Sequence, residues 1–421
     1  MSTPDSPSAD SSTSTQATIP VVFPDGGVRG WMQVLGTFFF IFNSWGLVNS
    51  YGAFQTTYET SVLASSSPSS IAWIGSTQAF ILLLLGSVSG PVFDRGYFTS
   101  QVIAGSFLIT FGMFMTSLGT TFWQILLAQG VCFGLGAGLV FIPSVAVLAT
   151  YFKRRRALVL GIAASASGLG GVVYPVILRQ LSGRIGFGWA TRIIAFTALG
   201  TLALSSAVMR RRDIPIAKRQ LIDTSAFHDL PYVLFTTGMI FGFMASYIPF
   251  FYISAYATAK TSASPALAFY YVPILNAASI FGRIAPNWLA DFFGAINVLI
   301  PCAFACAVLA FAWIRIETAA SLLAFTILYG CFVGSFVSLP AAALANLTSD
   351  IKVVGTRMGM SFTCAGIGVL VGNPIAGALI DLEAESFVRM QVFCGVILLA
   401  SGLFMAAARV AKTGFVQWAW V

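Results

Sequence analysis

The chain has 421 residues, of which 57% are apolar and only 9% are charged, and its mean hydropathy is +0.87. Soluble domains carry about 25% charged residues, so this composition excludes an ordinary soluble protein. The formal net charge of +8 comes from cations in short loops between apolar stretches, a pattern that reports membrane topology. We therefore expect the lipid bilayer, and no nucleic acid, around this chain.

The apolar residues fall into twelve blocks of about 20 residues, the length that a helix needs to cross the hydrocarbon core. Open sheets cannot cross lipid and the blocks lack the alternation of barrel strands, so the predicted fold is an all-α integral membrane protein. The twelve predicted transmembrane helices cover residues 31–54, 71–93, 102–120, 123–150, 157–178, 189–209, 231–257, 265–289, 296–314, 319–347, 359–380 and 388–408.

The predicted spans divide into two sets of six. Residues 1–24 are rich in Ser, Thr, Pro and Asp, which predicts a disordered cytoplasmic tail. Residues 25–209 form an N-terminal six-helix half, and residues 231–412 form a C-terminal one. A cytoplasmic linker, 210–230, joins them, and residues 413–421 form a short cytoplasmic tail. Most of the 22 lysines and arginines lie on the linker's side of the predicted membrane, which places both termini in the cytoplasm.

The stretch 151–171, YFKRRRALVLGIAASASGLGG, combines a cluster of basic residues with a series of small residues. The basic cluster consists of Lys153, Arg154, Arg155 and Arg156, and cations in a loop between spans favour the cytoplasmic side of the membrane. Small residues three or four apart let helix backbones approach closely in lipid. The small residues at that spacing are Gly161, Ala164, Ser165, Gly168 and Gly171. The stretch therefore predicts a cytoplasmic loop followed by a tightly packed fifth helix.

The two halves contain matching sequence features about 200 residues apart, which indicates a parallel repeat. The matched pairs are Gly90–Gly96 with Asn287–Gly294, Cys132-Phe133 with Cys331-Phe332, and Pro175 with Pro374. Two six-helix halves related by an axis along the membrane normal form the architecture of the major facilitator superfamily.

Three motifs resemble one branch of that superfamily, the monocarboxylate porter family. The sequence PDGGVRGW at 24–31 is similar to the family's motif before the first span. The sequence YFKRRRALVLGIAASASG at 151–168 resembles its second signature, and GPVFDRG at 90–96 resembles the superfamily's loop motif between spans two and three. The short central loop and the PDGG spacing look most like the fungal members.

This resemblance implies a secondary transporter that moves a small or medium organic anion, or a carboxylate-bearing metabolite, by alternating access. Family members carry small carboxylates such as lactate and pyruvate, often with protons. Fungal relatives include riboflavin carriers and exporters encoded beside secondary-metabolite pathways, so efflux of a secondary metabolite is one expectation. A proton-linked importer of short monocarboxylates or of a riboflavin-type nutrient, and a non-transporting membrane sensor, stay open as alternatives. Some members travel with a single-span partner, and the need for an accessory subunit is left open.

Arg283 is the residue that we expect to bind the substrate. It lies within the eighth span, about 12 Å from Asp291 along the helix at 1.5 Å per residue. A guanidinium at that depth is expensive, so a partner or a substrate anion should accompany it. The resemblance implies that an arginine at this position holds the substrate carboxylate. The alternative is an arginine bonded to backbone carbonyls or reaching the inner surface.

Two positions depart from the proton-linked members of the family. Where those members carry an aspartate one turn before the arginine, this chain has Ser279. Where they carry a lysine in the first span, this chain has Asn49. The acidic residues lie in predicted tails, loops and helix ends, so proton coupling stays open, with Asp25 and Asp94 as candidates.

Further site residues follow from the superfamily architecture, in which selected spans line a central cavity. The expected substrate-binding residues besides Arg283 are Asn49, Tyr51, Asn276, Tyr247 and Asn373, each with interhelical hydrogen bonding as the plainer alternative. The expected gating residues are Asp94, Arg95 and Asp291, which end spans two and eight and could lock the inner side.

The chain offers little for catalysis or cofactor binding. The six cysteines fall inside apolar blocks without a CxxC pair, and the single histidine, His228, lies in a polar loop. Because the spans carry almost no titratable cluster and no phosphate loop exists, we expect neither an enzyme nor an ATP-driven pump, and no metal or cofactor. The expected location is the plasma membrane, with an internal membrane as the alternative.

Overall fold

A computed structural model describes residues 25–152, 156–212, 222–348, 353–381 and 386–414. The predicted tail at 1–24, the cations 153–155, much of the linker and the residues after 414 lie outside this described part. Predictions about those segments stay predictions. The described residues are arranged as a bundle of long helices, as the apolar blocks indicate.

The first half contains eight α-helices, which begin just after Gly26. Its first crossing is interrupted twice and continues into a single π-helical turn, Tyr58–Val62; its fourth contains a second π-helical stretch, Leu126–Cys132. The helices are α1 (Gly27–Asn43), α2 (Trp45–Asn49), α3 (Tyr51–Thr57), α4 (Pro68–Asp94), α5 (Phe98–Thr116), α6 (Phe122–Ile125), α7 (Phe133–Tyr151) and α8 (Arg156–Val208).

The second half follows a short 3-10 helix at Thr224–His228, and another 3-10 turn, Trp313–Arg315, follows its third crossing. Two of its crossings are each built from two helices. The helices are α9 (Leu230–Ser246), α10 (Ile248–Lys260), α11 (Pro265–Phe293), α12 (Ala295–Ala312), α13 (Ala319–Ser338), α14 (Pro340–Leu347), α15 (Val354–Ala378) and α16 (Val388–Thr413).

Helix α8 contains two crossings. Its 53 residues would extend about 80 Å as one straight helix, more than twice the thickness of the hydrocarbon core. Gly186 breaks it with φ 81° and ψ 161°, a backbone conformation that a side chain would disfavour. Among the described residues, eleven helical segments are long and apolar enough to span a membrane. Helix α8 is one of the eleven, and its two crossings bring the number of crossings to twelve. The predicted twelve-helix, two-half architecture is confirmed.

The first, seventh and tenth crossings are broken near their middles. In the first, the hydroxyls of Ser44 and Ser50 donate to backbone carbonyls one turn earlier, an arrangement that bends helices. The seventh breaks at Tyr247, two residues before Pro249, and the tenth breaks before Pro340. These breaks lie where the three crossings meet the centre of the bundle, so they shape the site described below.

The two halves meet along two long helix pairs, α4 with α15 and α8 with α11. Small residues allow these contacts: a Cβ atom at Gly359 would lie 3.0 Å from Ser87, and one at Gly366 would lie 3.2 Å from Phe80. We call the end of the bundle that carries Arg95, Arg210, Arg357 and Arg409 the arginine-rich end, and the other the far end. At the far end, α3 also packs on α10, which joins the halves there.

Arg357, at the start of α15, holds the end of the linker against the second half. Its guanidinium donates to Asp223 at 2.8 Å, to Asp229 at 2.5 Å and to the Ser225 hydroxyl at 3.2 Å. It also lies 5.4 Å above the ring of Tyr232. This ionic cluster was not predicted from the sequence, because the partners lie about 130 residues from Arg357 along the chain.

Candidate functional site

Arg283 is buried at the centre of the bundle, with 1% of its surface exposed. Its Nη1 donates a 2.9 Å hydrogen bond to the hydroxyl of Ser279, one turn earlier on α11. Its Nε has no hydrogen-bond partner among the described residues, and no carboxylate among them forms a salt bridge with it. An uncompensated guanidinium is costly in such surroundings, so this unused donor calls for an explanation.

A small internal cavity lies beside Arg283, where the broken crossings meet. Its free space is about 10 Å³, which is room for about one water molecule. Both halves contribute to its wall. The lining residues are Asn49, Phe243, Ser246, Tyr247, Phe250, Arg283, Val333, Phe336 and Val337. The structure thus brings three of the predicted binding residues, Asn49, Tyr247 and Arg283, to one closed cavity.

Tyr247 contributes a second unused polar group to this cavity. It lies at the break between α9 and α10, is 3% exposed, and its hydroxyl has no hydrogen-bond partner among the described residues. The ring of Trp45 stacks on the ring of Tyr247 with centroids 6.5 Å apart, and the Trp45 indole N–H is also buried without a described partner. Sequence analysis missed Trp45, although a tryptophan in mid-span, away from the interfacial belt, could have indicated it.

Two asparagines join the halves next to the cavity. Asn276 Nδ2 donates to the backbone carbonyls of Asn49, at 3.2 Å, and of Val272, at 3.0 Å. Asn49 Nδ2 lies 3.4 Å from the Ser167 carbonyl. Both side-chain oxygens are left buried without a described partner. Helices of crossings one, five and eight are thereby connected, while two acceptors stay unsatisfied.

The small residues of the stretch 151–171 allow this arrangement. A Cβ atom at Gly168 would lie 3.0 Å from Arg283 Nη1, and a Cβ atom at Gly171 would overlap the side-chain amide of Asn276. By contrast, nothing lies within 4 Å of a Cβ built at Gly161. The predicted tight packing of the fifth helix is therefore local, and it serves the site around Arg283 and Asn276.

The other two predicted binding residues lie elsewhere. The Tyr51 hydroxyl donates a 2.5 Å hydrogen bond to the Ile71 carbonyl on α4, and its ring lies 4.9 Å from that of Phe251. Asn373 Nδ2 donates to the Ser76 hydroxyl at 3.3 Å. Both side chains are buried at contacts between helices and do not line the cavity. Their role in binding stays a prediction.

The predicted gating residues are all at the arginine-rich end, but in different surroundings. Asp94 ends α4, where Arg211 donates to its backbone carbonyl at 3.3 Å and lies 5.3 Å above the ring of Phe93. The side chains of Arg95 and Asp291 are exposed. The contact with Arg211 thus joins the end of α4 to the start of the linker, and a gating role for the three residues stays a prediction.

Metal-binding groups are sparse in the part of the chain that the structure describes. No three His, Cys, Asp or Glu side chains come together there as a metal site, and the cysteines are free. The chemistry that the central site offers is therefore hydrogen bonding and charge: a guanidinium, a phenol and an amide oxygen beside aromatic rings.

Solved structures with the same fold are membrane transporters. A peptide transporter solved with alafosfalin matches with a TM-score of 0.71 at 14% identity, covering 93% of this chain and 97% of that one. The transporter FucP, in its outward conformation, matches with a TM-score of 0.63 at 13% identity, covering 90% of this chain and 98% of that one. At these identities the likeness shows the fold alone.

Curated relatives are more similar in sequence. A protein of Emericella nidulans named MFS-type transporter dbaD is 45% identical over 385 residues, which are 91% of this chain and 87% of the relative. The aspyridones efflux protein apdF of the same fungus is 38% identical over 92% of this chain and 79% of its own length. The family model described as Major Facilitator Superfamily matches residues 33–317. The chain belongs to the major facilitator superfamily of membrane transporters.

Proposed function

We propose that this transporter exports an organic anion, a carboxylate-bearing metabolite, and that Arg283 binds its acidic group. The two halves would rock about the central cavity, so that the site opens to one side of the membrane and then to the other. The arginine-rich end would face the cytoplasm under the positive-inside rule, with both termini on that side. The plasma membrane is the proposed location.

The observation that carries this proposal is the buried Arg283 with its unused Nε donor. An arginine with a purely structural role should donate its N–H groups to acceptors of the protein, because each buried N–H group without a partner costs free energy. Among the described residues, only the Ser279 hydroxyl is bonded to the guanidinium, and the Tyr247 hydroxyl has no partner among them either. A carboxylate that accepts from both groups would satisfy them together.

The neighbouring Ser279 bears on coupling. The resemblance to monocarboxylate porters implies an aspartate at this position in proton-linked members, and here the position provides a neutral hydroxyl that contacts Arg283. A neutral partner cannot take up and release a proton at this point. We therefore favour export of a specialised metabolite over lactate-type proton symport, and the name of the aspyridones efflux protein, a relative, supports the outward direction.

The test is retention of labelled compounds in cells that express the chain. The panel contains short monocarboxylates, riboflavin and larger acidic natural products. Cells with the wild type should retain less of at least one acidic compound, and Arg283→Ala should abolish this effect at equal surface expression. Arg283→Lys, which keeps the charge without the planar fork, should retain only part of it. Arg315→Ala, at an exposed arginine, is the matched control.

Other outcomes would point to the alternatives. Net accumulation of a short monocarboxylate or of riboflavin would indicate an importer. Ligand binding without flux would indicate a sensor. Export that survives Arg283→Ala would show that this arginine is structural, and the proposed anion site would be wrong.

A further inference from the structure

The unsatisfied polar atoms around the central cavity are of two kinds, and their arrangement carries information about the ligand. Among the described residues that line the cavity, the donors without a partner are the Nε of Arg283 and the hydroxyl of Tyr247, both on the second half. The acceptor without a partner is Oδ1 of Asn49, on the first half; the Asn276 oxygen and the Trp45 indole lie next to the cavity and do not line it. All three residues line the same cavity and are at most 3% exposed. A ligand that satisfied only the donors would leave the acceptor unpaired.

The orientation of the Asn49 amide is set by its neighbours. Its Nδ2 lies against the Ser167 carbonyl, which can only accept, so the oxygen must be the end without a partner. Asn276 donates to the Asn49 backbone carbonyl and thereby fixes this segment of the broken first crossing. Asn276 is thus a positioning residue, while Asn49 presents an acceptor that needs a donor from the ligand.

The remaining wall of the cavity is mostly aromatic. Phe243, Tyr247, Phe250 and Phe336 line it, and Trp45 stacks on Tyr247 from the first half. Aromatic rings favour flat, conjugated partners through offset stacking and edge contacts. The cavity has room for about one water molecule, so it is too small for a ligand in this structure. A ligand would enter when the two halves separate and the cavity widens.

We infer that the transported compound is an aromatic acid that also carries a hydroxyl group. Its acidic group accepts from Arg283 and Tyr247, its hydroxyl donates to Asn49, and its ring lies among the aromatic side chains. This inference rests on the proposed function, since it assumes that Arg283 binds an anion. It adds the requirement for a hydroxyl donor and for a flat ring.

The hydroxyl requirement has an expected size. An acceptor left buried without a partner costs about 1–3 kcal/mol, which corresponds to a difference of about 5- to 150-fold in affinity. Sites built to bond a substrate hydroxyl reject the analogue that lacks it for this reason. The preference should therefore be lost when the acceptor is removed.

The test is ligand binding by the purified full chain in lipid nanodiscs, with small probes of matched shape. The probes are benzoate, the three monohydroxybenzoates, 3-hydroxycyclohexanecarboxylate and 3-hydroxybenzyl alcohol. We expect at least one hydroxybenzoate to bind about tenfold or more tightly than benzoate, and the cyclohexane acid and the alcohol to bind weakly. Failure of every hydroxybenzoate to bind, or equal binding of benzoate, would overturn the inference.

Three variants separate the contributions. Asn49→Leu, close to Asn in shape, should abolish the preference for the hydroxyl, and Asn49→Ala should do the same if the leucine variant does not fold. Tyr247→Phe removes a hydroxyl that has no described protein partner, so it should weaken all the acids equally and keep the preference. Arg283→Ala should abolish binding of every acid.

The two hypotheses fail differently in this experiment. If the acids bind in an Arg283-dependent manner but without a preference for the hydroxyl group, the inference is wrong and the proposed anion site is still supported. If hydroxybenzoate binds equally well to the wild type and to Arg283→Ala, the proposed anion site itself is wrong. A preference that persists in both Asn49 variants would assign the acceptor to another residue and contradict the inference.

Discussion

Gly52 on α3 lies so close to Phe250 on α10 that a Cβ atom at residue 52 would overlap the Phe250 carbonyl oxygen. This contact joins the two halves at the far end of the bundle. One residue away, the rings of Tyr51 and Phe251 also meet across the halves, with centroids 4.9 Å apart. The far end is closed in this structure, and its closure depends on the missing side chain at Gly52.

Gly52→Ala should therefore hold the far end open. The backbone carbonyl of Phe250 cannot move aside as a flexible side chain could, so the helices must separate. The measurement is labelling of a cysteine introduced at Gln55, a residue with 0% exposure on α3, by a membrane-impermeant maleimide. Labelling should rise several-fold in Gly52→Ala. Gly183→Ala, where a Cβ meets nothing within 4 Å, is the control, and an equal rate in all backgrounds would contradict the account.

Gly171→Ala tests the small-residue stretch on the fifth helix. The added methyl group would overlap the side-chain amide of Asn276, which in turn bonds to the Asn49 carbonyl. We expect transport to fall by about tenfold or more, since a displacement near 1 Å in a binding site has effects of this size. Gly161→Ala, on the same helix but in open space, should transport normally. Normal transport by Gly171→Ala would show that the site does not depend on this packing.

Arg357→Ala tests the anchor at the end of the linker. It would leave the carboxylates of Asp223 and Asp229 without their bonded cation, at a cost of about 2–3 kcal/mol. The melting temperature of the detergent-purified protein should fall by several degrees. Arg357→Lys should recover only part of the loss, because one ammonium cannot reproduce the three hydrogen bonds of the guanidinium. Arg95→Ala, at an exposed arginine, should melt like the wild type.

Glu59 predicts a pH dependence of stability. It lies in the π-helical turn Tyr58–Val62, which follows the first crossing at the far end, is half-buried and accepts a 2.8 Å hydrogen bond from Gln55 Nε2. The phenols of Tyr51 and Tyr252 also interact electrostatically with the Glu59 carboxyl group. Burial raises the pKa of this carboxyl from 4.5 to about 7. The folded protein therefore holds this proton more tightly than the unfolded chain does.

The sign follows from proton linkage. Because the folded state has the higher pKa, the free energy of unfolding is greatest when Glu59 is protonated. It falls as the pH rises from about 4.5 to about 7, and it stays at the lower value above pH 7. The loss is on the order of 1–3 kcal/mol. Thermal melts at pH 5 and pH 8 should show this decline in the wild type and a smaller one in Glu59→Gln. Glu317→Gln, at an exposed glutamate, should behave like the wild type, and an undiminished decline in Glu59→Gln would refute the assignment.

Much of the fold could be predicted because lipid leaves few choices. Each crossing needs about 20 apolar residues, so the twelve blocks translate directly into helices, and even the break at Gly186 falls between two predicted spans. The interruptions at Ser44 and Ser50 could not be predicted in the same way. A serine hydroxyl that bonds to its own helix bends the backbone only in some settings, and tertiary packing decides which.

The candidate site was predictable in part. Arg283 stood out because a cation within a span is rare, and Asn49 and Tyr247 came from the architecture of the superfamily. Asn49 and Tyr51 are two residues apart, about 200° around a helix, so they face opposite ways. The structure accordingly turns Tyr51 toward Ile71. Glu59 was passed over because it follows the first apolar block, and only the folded neighbours show that it is half-buried.

The most direct test of the central claim is exchange across proteoliposomes that contain only this protein. Vesicles loaded with the acidic compound that expressing cells export would be diluted into its labelled form, without ATP. The account predicts rapid exchange by the wild type and by Arg315→Ala, and none by Arg283→Ala at equal reconstitution. Exchange that survives Arg283→Ala, or binding of the compound without any exchange, would contradict an anion carrier built around Arg283.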